Sequence, residues 1–242
     1  MPEKKVFLYH ASAVAFGGQI TLPFQEILEG QATCAQLNVG YSQARVENYR
    51  YKNFVSFGAA HSQTVGSFSR ADNAYFSLAS VSIEKINILD MITCDRIISR
   101  VSAKHINMDG AESEITPLGC SFENLRIDGR LLDIQMATGL FNDFSTGSSL
   151  RKAETEGVKE LAALSLGQSR GPLSGYTMVA NDTHFGFKNH ELDIPQFGTV
   201  RLAQLFCSSN ARRVSMLEVT LGCPGEGDLG FGGTVGNGDP WP

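Results

Sequence analysis

The stretch CSFENLRIDG, residues 120–129, is written in nearly the same way at two earlier places, ARVENYRYKN (44–53) and VSIEKINILD (81–90). Each phrase has an apolar residue followed by a glutamate, and the aligned glutamates are Glu47, Glu84 and Glu123. Six positions after each glutamate stands a residue that favours turns, namely Asn53, Asp90 and Gly129. The pattern predicts three amphipathic strands, each closed by a turn or bulge.

Period-two alternation predicts which side chains of these strands face the core. The apolar residues that share one face are Tyr49, Tyr51, Ile86, Ile88, Leu125 and Ile127. The residues predicted to face outward are Arg50, Asn87 and Arg126. The three glutamates fall on the apolar face, where we expect them at its rim. Further strand-like runs follow each phrase, and in ITCDRIISRVSAKH (92–105) one face holds Ile97, Ser99, Val101, Ala103 and His105.

These strands favour a mainly β fold, an antiparallel sandwich or barrel, because no helical pattern separates them as a parallel sheet would require. A β-solenoid built from the repeated phrases is the alternative architecture. The length of 242 residues suits one large core. We therefore expect a single β-rich domain over residues 1–242.

The second part of the chain contains three different patterns. Apolar residues that fall on one helical face predict one α-helix near 149–165, capped by Ser148 or Ser149 and packed over an edge or open end of the strands. Residues 199–222 predict a hairpin with its turn at 208–211. Residues 223–242 are rich in glycine and proline and predict a loop or an extended C-terminal arm.

Composition excludes several classes of function. The net charge of −5 argues against nucleic-acid binding, which needs a positive surface. No run of 18 apolar residues is present, so membrane insertion is not expected. No signal peptide is visible, which predicts a cytoplasmic protein by default. The five cysteines include no CxxC pair, and we expect reduced, mostly buried thiols rather than disulfides.

The richest cluster of polar side chains is NDTHFGFKNHELDIP, residues 181–195. Its candidate catalytic residues are His184, His190, Glu191 and Asp193, all of types used for acid–base work. On a continuous strand the two histidines would be about 20 Å apart, too far to share a metal ion. We therefore predict no metal site and no cofactor, and we expect a hydrogen-bonded polar loop as the default structure of this segment.

A family resemblance is carried by FSLASVSIEKINILDMITCDRIISRVSAKH, residues 76–105. It resembles the repetitive part of the bacterial choice-of-anchor surface proteins of the P type. The matching segments are Asn87–Leu89, Ile92–Asp95 and Leu125–Gly129, and the similarity extends over residues 8–135. The resemblance implies an exported surface protein, and that family supplies no catalytic residues to transfer.

From the sequence we predict a non-enzymatic structural, surface or binding protein that forms homo-oligomers. The basis for this prediction is the repeated strands and the lack of a convergent catalytic set. The alternative is an enzyme or small-molecule binder whose site lies at an open barrel end around residues 182–193. The sequence does not identify the ligand.

Overall fold

The structure is a computed structural model, and it describes residues 6–167, 173–180, 190–222, 225–237 and 239–241. The first seven strands are β1 (Val6–Leu8), β2 (Ala11–Leu22), β3 (Glu26–Gln36), β4 (Gly40–Tyr51), β5 (Val55–Ser69), β6 (Ala74–Ile88) and β7 (Ile92–Ile106). Four short strands follow: β8 (Glu114–Pro117), β9 (Ser121–Glu123), β10 (Arg126–Ile127) and β11 (Arg130–Leu131). The helices are α1 (Thr138–Asp143), α2 (Gly147–Glu156) and α3 (Lys159–Ala163). The last strands are β12 (Ser174–Thr177), β13 (Glu191–Ile194), β14 (Gly198–Cys207), β15 (Ala211–Leu221), β16 (Glu226–Asn237) and β17 (Asp239–Trp241).

The large strands form two sheets in which every paired strand is antiparallel. Sheet I has the order β11-β10-β7-β6-β5-β4, with β8 and β9 also paired to β7. Sheet II has the order β12-β14-β15-β16-β2-β3, with β13 also paired to β14. The sheets pack around one cluster of buried hydrophobic residues. The prediction of a mainly β, sandwich-like fold is confirmed, and the strands form neither the barrel nor the solenoid that were the other options.

Sheet II joins the two ends of the chain. Strand β2 lies between β3 and β16 in this sheet, and β1 pairs with β17 in a separate two-stranded sheet, where Val6 stands opposite Trp241. The predicted C-terminal arm is therefore wrong for residues 226–237, which form a central strand; residues 223 and 224 lie outside the described chain. A side chain on Gly227 would meet the Gln19 carbonyl oxygen at 2.3 Å. Glycine at this position suits close packing between strands, which composition does not distinguish from a loop.

The core face of the three phrases is as predicted. Ile86, Ile88, Leu125 and Ile127 are buried, and the two tyrosines pack against the core. The predicted face of β7, which includes Ile97 and His105, is buried as well. The hairpin of β14 and β15 is also confirmed, with its turn at Ser208 to Ala211.

The glutamates of the phrases face outward, so their predicted place on the apolar face is wrong. The residue after each glutamate has a left-handed backbone, with φ of 52° at Asn48, 56° at Lys85 and 50° at Asn124. Two consecutive side chains then point away from the core before the alternation resumes. These three residues form the left-handed row of sheet I, because the pairing places Glu47, Ala59, Glu84, Arg96 and Glu123 opposite one another across neighbouring strands.

Sheet II contains a corresponding row. Ala32, Gly232 and Ala203 have φ of 46°, 67° and 48°, and the strand register aligns them across β3, β16 and β14. We call these residues the left-handed row of sheet II. In each sheet, the inward–outward alternation of the side chains is therefore shifted at one row of aligned residues.

The helical segment closes one side of the sandwich. Phe141 of α1 packs on Tyr176 of β12 with ring centroids 5.6 Å apart, and α1 also contacts β8. The predicted single helix near 149–165 is divided into α2 and α3, because Gly157 ends α2 in a left-handed conformation with φ of 68°. Thr146 caps α2 in a capping box with Ser149.

The opposite side of the sandwich, which we call the open side, is formed by β3 and β4. In the described structure each of these strands has a paired neighbour on one side only, β2 for β3 and β5 for β4. Residues 37–39 link the two strands at one end, and Lys52 Nζ lies 3.2 Å from Glu26 Oε2 at the other. The two free edges therefore run side by side and antiparallel.

Candidate functional site

The described part of the predicted polar cluster lies on β13. His184 falls outside the described residues, and His190 precedes the strand with φ of 64°. Glu191 and Asp193 both point away from the core because Leu192 between them is buried. In the ranges that the structure describes, no three His, Cys, Asp or Glu residues come close enough to hold a metal ion.

Glu191 begins a polar row that crosses the outer face of sheet II. Its Oε1 accepts a hydrogen bond of 2.6 Å from Arg201 Nε. Arg201 Nη1 lies 3.4 Å from Thr220 Oγ1, which donates to Asp228 Oδ1 at 2.9 Å. Gln19 Nε2 donates to the other oxygen of Asp228 at 3.4 Å. The cluster predicted at 182–193 thus connects to residues on four further strands.

Part of this polar row, Arg201, Thr220 and Asp228, also lines a concave surface, the trough of sheet II, with a volume of about 550 Å³. That volume is within the range of known ligand sites. Glycines from β2 and β16 form much of its floor: Gly17, Gly230 and Gly233. Val14 and Val235 add apolar surface. The floor is therefore mostly apolar, and it is low where glycines have no side chain above the sheet.

The backbone does not require glycine at these three positions. A Cβ on Gly230 would have only the Gly17 carbonyl oxygen near it, at 3.9 Å, and one on Gly233 would lie 3.5 Å from the Val14 carbonyl oxygen. A Cβ on Gly17 would meet its nearest atom at 3.7 Å, and none of the three has positive φ. These are ordinary contact distances. Glycine within a strand costs about 0.5–1 kcal/mol relative to alanine. Gly17 lies at the register shift between β2 and β3, where glycine is common, but Gly230 and Gly233 are paired on both sides and need another reason.

Two charged side chains of opposite sign stand at the ends of the trough. Arg213 and Glu218 both lie on β15 and line the surface, and five residues of strand separate them by roughly 16 Å. Neither has an ion pair with another residue that the structure describes. The trough therefore offers Arg213 at one end and Glu218 at the other, where Arg201 and Asp228 also line it, with an apolar floor between them.

The thiols are protected from chemistry. Cys34, Cys94, Cys120 and Cys207 are unpaired and buried, as predicted, while Cys223 lies outside the described chain. Burial raises the pKa of Cys94 and of Cys207 to about 12 and also raises the pKa of Cys120. Because the thiolate is the nucleophilic form, these groups are unreactive at neutral pH.

The outer face of sheet I has a different character. Arg96 places Nη2 3.2 Å from Glu84 Oε1 and Nη1 3.4 Å from Glu123 Oε1. Two of the three phrase glutamates are therefore neutralised by one arginine on an adjacent strand. This arrangement is a row of cross-strand ion pairs, in which the carboxylates stabilise the pairing of neighbouring strands.

Sequence reasoning missed the trough because the glycines of residues 223–242 were interpreted as loop residues. The signal was present as two FGG triplets, Phe16–Gly18 and Phe231–Gly233, whose phenylalanines prove to be paired across β2 and β16. Only the strand register places the glycines of both triplets together.

Comparison with known proteins gives one finding. A family model described as a domain of unknown function, DUF8256, matches residues 7–170, which is more than half of the chain. The matched range contains all of sheet I and the helices, together with β2 and β3 of sheet II. No curated protein and no solved structure matches the chain. Within the described residues, none of the helices has the length and apolar character needed to cross a membrane.

Proposed function

The chain belongs to the DUF8256 family, and we propose that it is a non-enzymatic binding protein of structural or surface type that holds its ligand in the trough of sheet II. The observation that carries this proposal is the set of glycines on the trough floor. Gly17, Gly230 and Gly233 have room for a side chain yet lack one. Glycine without a steric reason in a strand marks a place where a ligand or another backbone approaches closely.

The shape and charges of the trough favour an extended peptide segment as the ligand. About five residues of extended chain span the roughly 16 Å between Arg213 and Glu218. Arg213 would pair with a carboxylate of the peptide, and Glu218 with a lysine, an arginine or an amino terminus. Between these ends the low floor leaves room for a backbone and small side chains.

A small molecule bound at the same place is the second candidate. Arg201 lines the trough, and Glu191 fixes its guanidinium by a hydrogen bond of 2.6 Å. An arginine held in this way suits a small anion. This alternative retains the neighbourhood of residues 182–193 that the sequence predicted for a small-molecule site.

The test is selection of a peptide from a random seven-residue library on the purified chain, followed by calorimetric titration of the selected peptide. Gly230→Val fills the trough, and we expect it to weaken binding at least tenfold, about 1.4 kcal/mol, while folding is retained. The matched control is Ser82→Val, which places the same valine side chain on a strand of sheet I. A selected peptide that binds Gly230→Val as tightly as the parent chain contradicts the proposal. A panel of small carboxylates and phosphates, titrated in the same way, tests the second candidate.

A further inference from the structure

The open side of the sandwich concentrates exposed apolar side chains. Of the thirteen large hydrophobic residues exposed among the described residues, six lie on or beside β3 and β4: Leu22, Phe24, Ile27, Leu37, Val39 and Tyr41. Ile27 is 79% exposed and Val39 is 66% exposed. The six residues form two groups, one at each end of the two free edges. Such a patch on a soluble protein marks an interaction surface.

The backbone of the same side is also available for pairing. Strands β3 and β4 are 11 and 12 residues long, and each has a hydrogen-bonded neighbour on one side only in the described structure. Long free edges act as templates for another strand. We propose that the open side binds a second copy of this chain, β3 of each copy pairing with β4 of the other.

The geometry of the open side permits both pairings at once. β3 and β4 run antiparallel at the same level, fixed by residues 37–39 at one end and by the Glu26–Lys52 contact at the other. A rotation of 180° about an axis parallel to the strands exchanges the positions of the two stacked sheets and preserves the direction of each strand. Both new strand contacts are then antiparallel, as within the sheets. Sheet II of one copy continues into sheet I of the other, and the assembly closes as a dimer because both edges are used.

The charges of the two edges select this arrangement. The acidic residues of β3 are Glu26 and Glu29, and the strand has no basic residue. On β4, Glu47 is neutralised by Arg45 in the same strand, which leaves Arg50 without an ion pair in the described chain. Counted from the Glu26–Lys52 contact, the rotation brings Glu29 to within about one residue of the level of Arg50 in the second copy, a distance that two long side chains bridge. An axis perpendicular to the sheets would instead oppose β3 to β3 and place like charges together.

One end of the surface is already ordered for contact. Lys52 Nζ lies 4.9 Å from the centroid of the Phe24 ring and 2.9 Å from the Tyr51 hydroxyl. A cation held over an aromatic ring fixes the ring at the surface. Phe24 is 61% exposed and therefore contributes an aromatic contact with little loss of freedom on association.

Sedimentation equilibrium on the whole chain tests the proposal. We expect a dimer at roughly 100 µM, and a chain that remains monomeric at that concentration overturns the inference. Glu29→Arg and Arg50→Glu are each expected to weaken association at least tenfold. The double variant Glu29→Arg/Arg50→Glu is expected to restore it, because the opposite charges again face each other.

Two comparisons keep the result specific. Glu160→Arg changes the charge of α3 on the other side of the sandwich and should leave the dimer constant unchanged. If Glu29→Arg strengthens association, Glu29 does not face Arg50 of the other copy and the proposed arrangement is wrong. Circular dichroism of each variant establishes that the sheets are intact. The trough-filling Gly230→Val should still dimerise, so failure of peptide binding and failure of dimerisation are separable.

Discussion

Sheets I and II each contain a left-handed row but form it from different residues. Sheet I uses Asn48, Lys85 and Asn124, whose side chains stand on the exposed face. Sheet II uses two buried alanines and a glycine. Since the backbone shift is common to both, it does not dictate the side chains around it. The charged cover of sheet I and the glycine floor of the trough of sheet II are therefore set by the residues of each outer face and not by the backbone shift.

The largest effect should separate two neighbouring glycines of β16. Gly232 has φ of 67°, and a Cβ there would lie 3.0 Å from Met216 Cβ, whereas Gly230 is open. We expect Gly232→Val to lower the free energy of unfolding by about 3 kcal/mol through backbone strain and overpacking. Gly230→Val should raise it by up to about 1 kcal/mol. Urea unfolding of both variants measures the difference. Equal losses of unfolding free energy would contradict the distinction between Gly232, in the left-handed row, and Gly230, in the trough.

The next effect concerns the hydrogen bond that joins the two sheets. Ser99 Oγ of sheet I and Thr234 Oγ1 of sheet II lie 2.8 Å apart and are fully buried. Thr234→Val leaves the serine hydroxyl without its partner, and we expect a loss of about 2 kcal/mol in unfolding free energy. Adding Ser99→Ala should recover part of this loss. A double variant that is less stable than the single variant would contradict the assignment.

Alkaline pH should affect the buried thiols of the two sheets alike. Cys94 of sheet I and Cys207 of sheet II have pKa values raised to about 12 by burial, while an unfolded cysteine ionises near about 8.5. The stabilisation is complete below the unfolded pKa and is lost as the pH rises towards the folded value. We expect each thiol to lower the unfolding free energy by up to about 1.4 kcal/mol per pH unit above about pH 9. Urea unfolding between those pH values measures the slope, which Cys94→Ala and Cys207→Ala should each reduce; an unchanged slope in both would refute the claim.

The smallest effect should differ in sign between the left-handed rows. Lys85→Gly relieves the cost of a left-handed lysine on an exposed face, and we expect a gain of up to about 1 kcal/mol. Ala203→Gly relieves the same backbone cost but removes a buried methyl group, worth about 0.8 kcal/mol. Its net effect should be near zero or destabilising. Thermal unfolding of the two variants compares them, and a larger gain at Ala203 would reverse the comparison.

Alternation along the chain was enough to predict the β class, the core faces of the phrases and the hairpin of β14 and β15. It failed at the phrase glutamates because the left-handed residue after each glutamate moves the side chains before it to the other face of the sheet, while the period of two continues on either side. Residues 226–237 were missed since glycine has the same appearance in a loop and in a closely packed strand. The trough depends on contact between β2 and β16, which lie at opposite ends of the chain, and local pattern cannot supply such a contact. Short α1, with six residues, has too few turns for a periodic signal.

The position of β2 also determines the order in which the protein can be completed during synthesis. All the strands of sheet I have been made by residue 131, but β2 lacks its neighbour β16 until residue 237 emerges. At ordinary translation rates of about 5–20 residues per second, the β2–β3 hairpin waits on the order of 10–40 s for that strand. During this interval Phe16 faces no Phe231, and the early hairpin exposes an edge that the finished protein covers. A ribosome-bound chain at this stage presents an unpaired strand edge of the kind that chaperones shield, and sheet II can close only after residue 237 has left the ribosome.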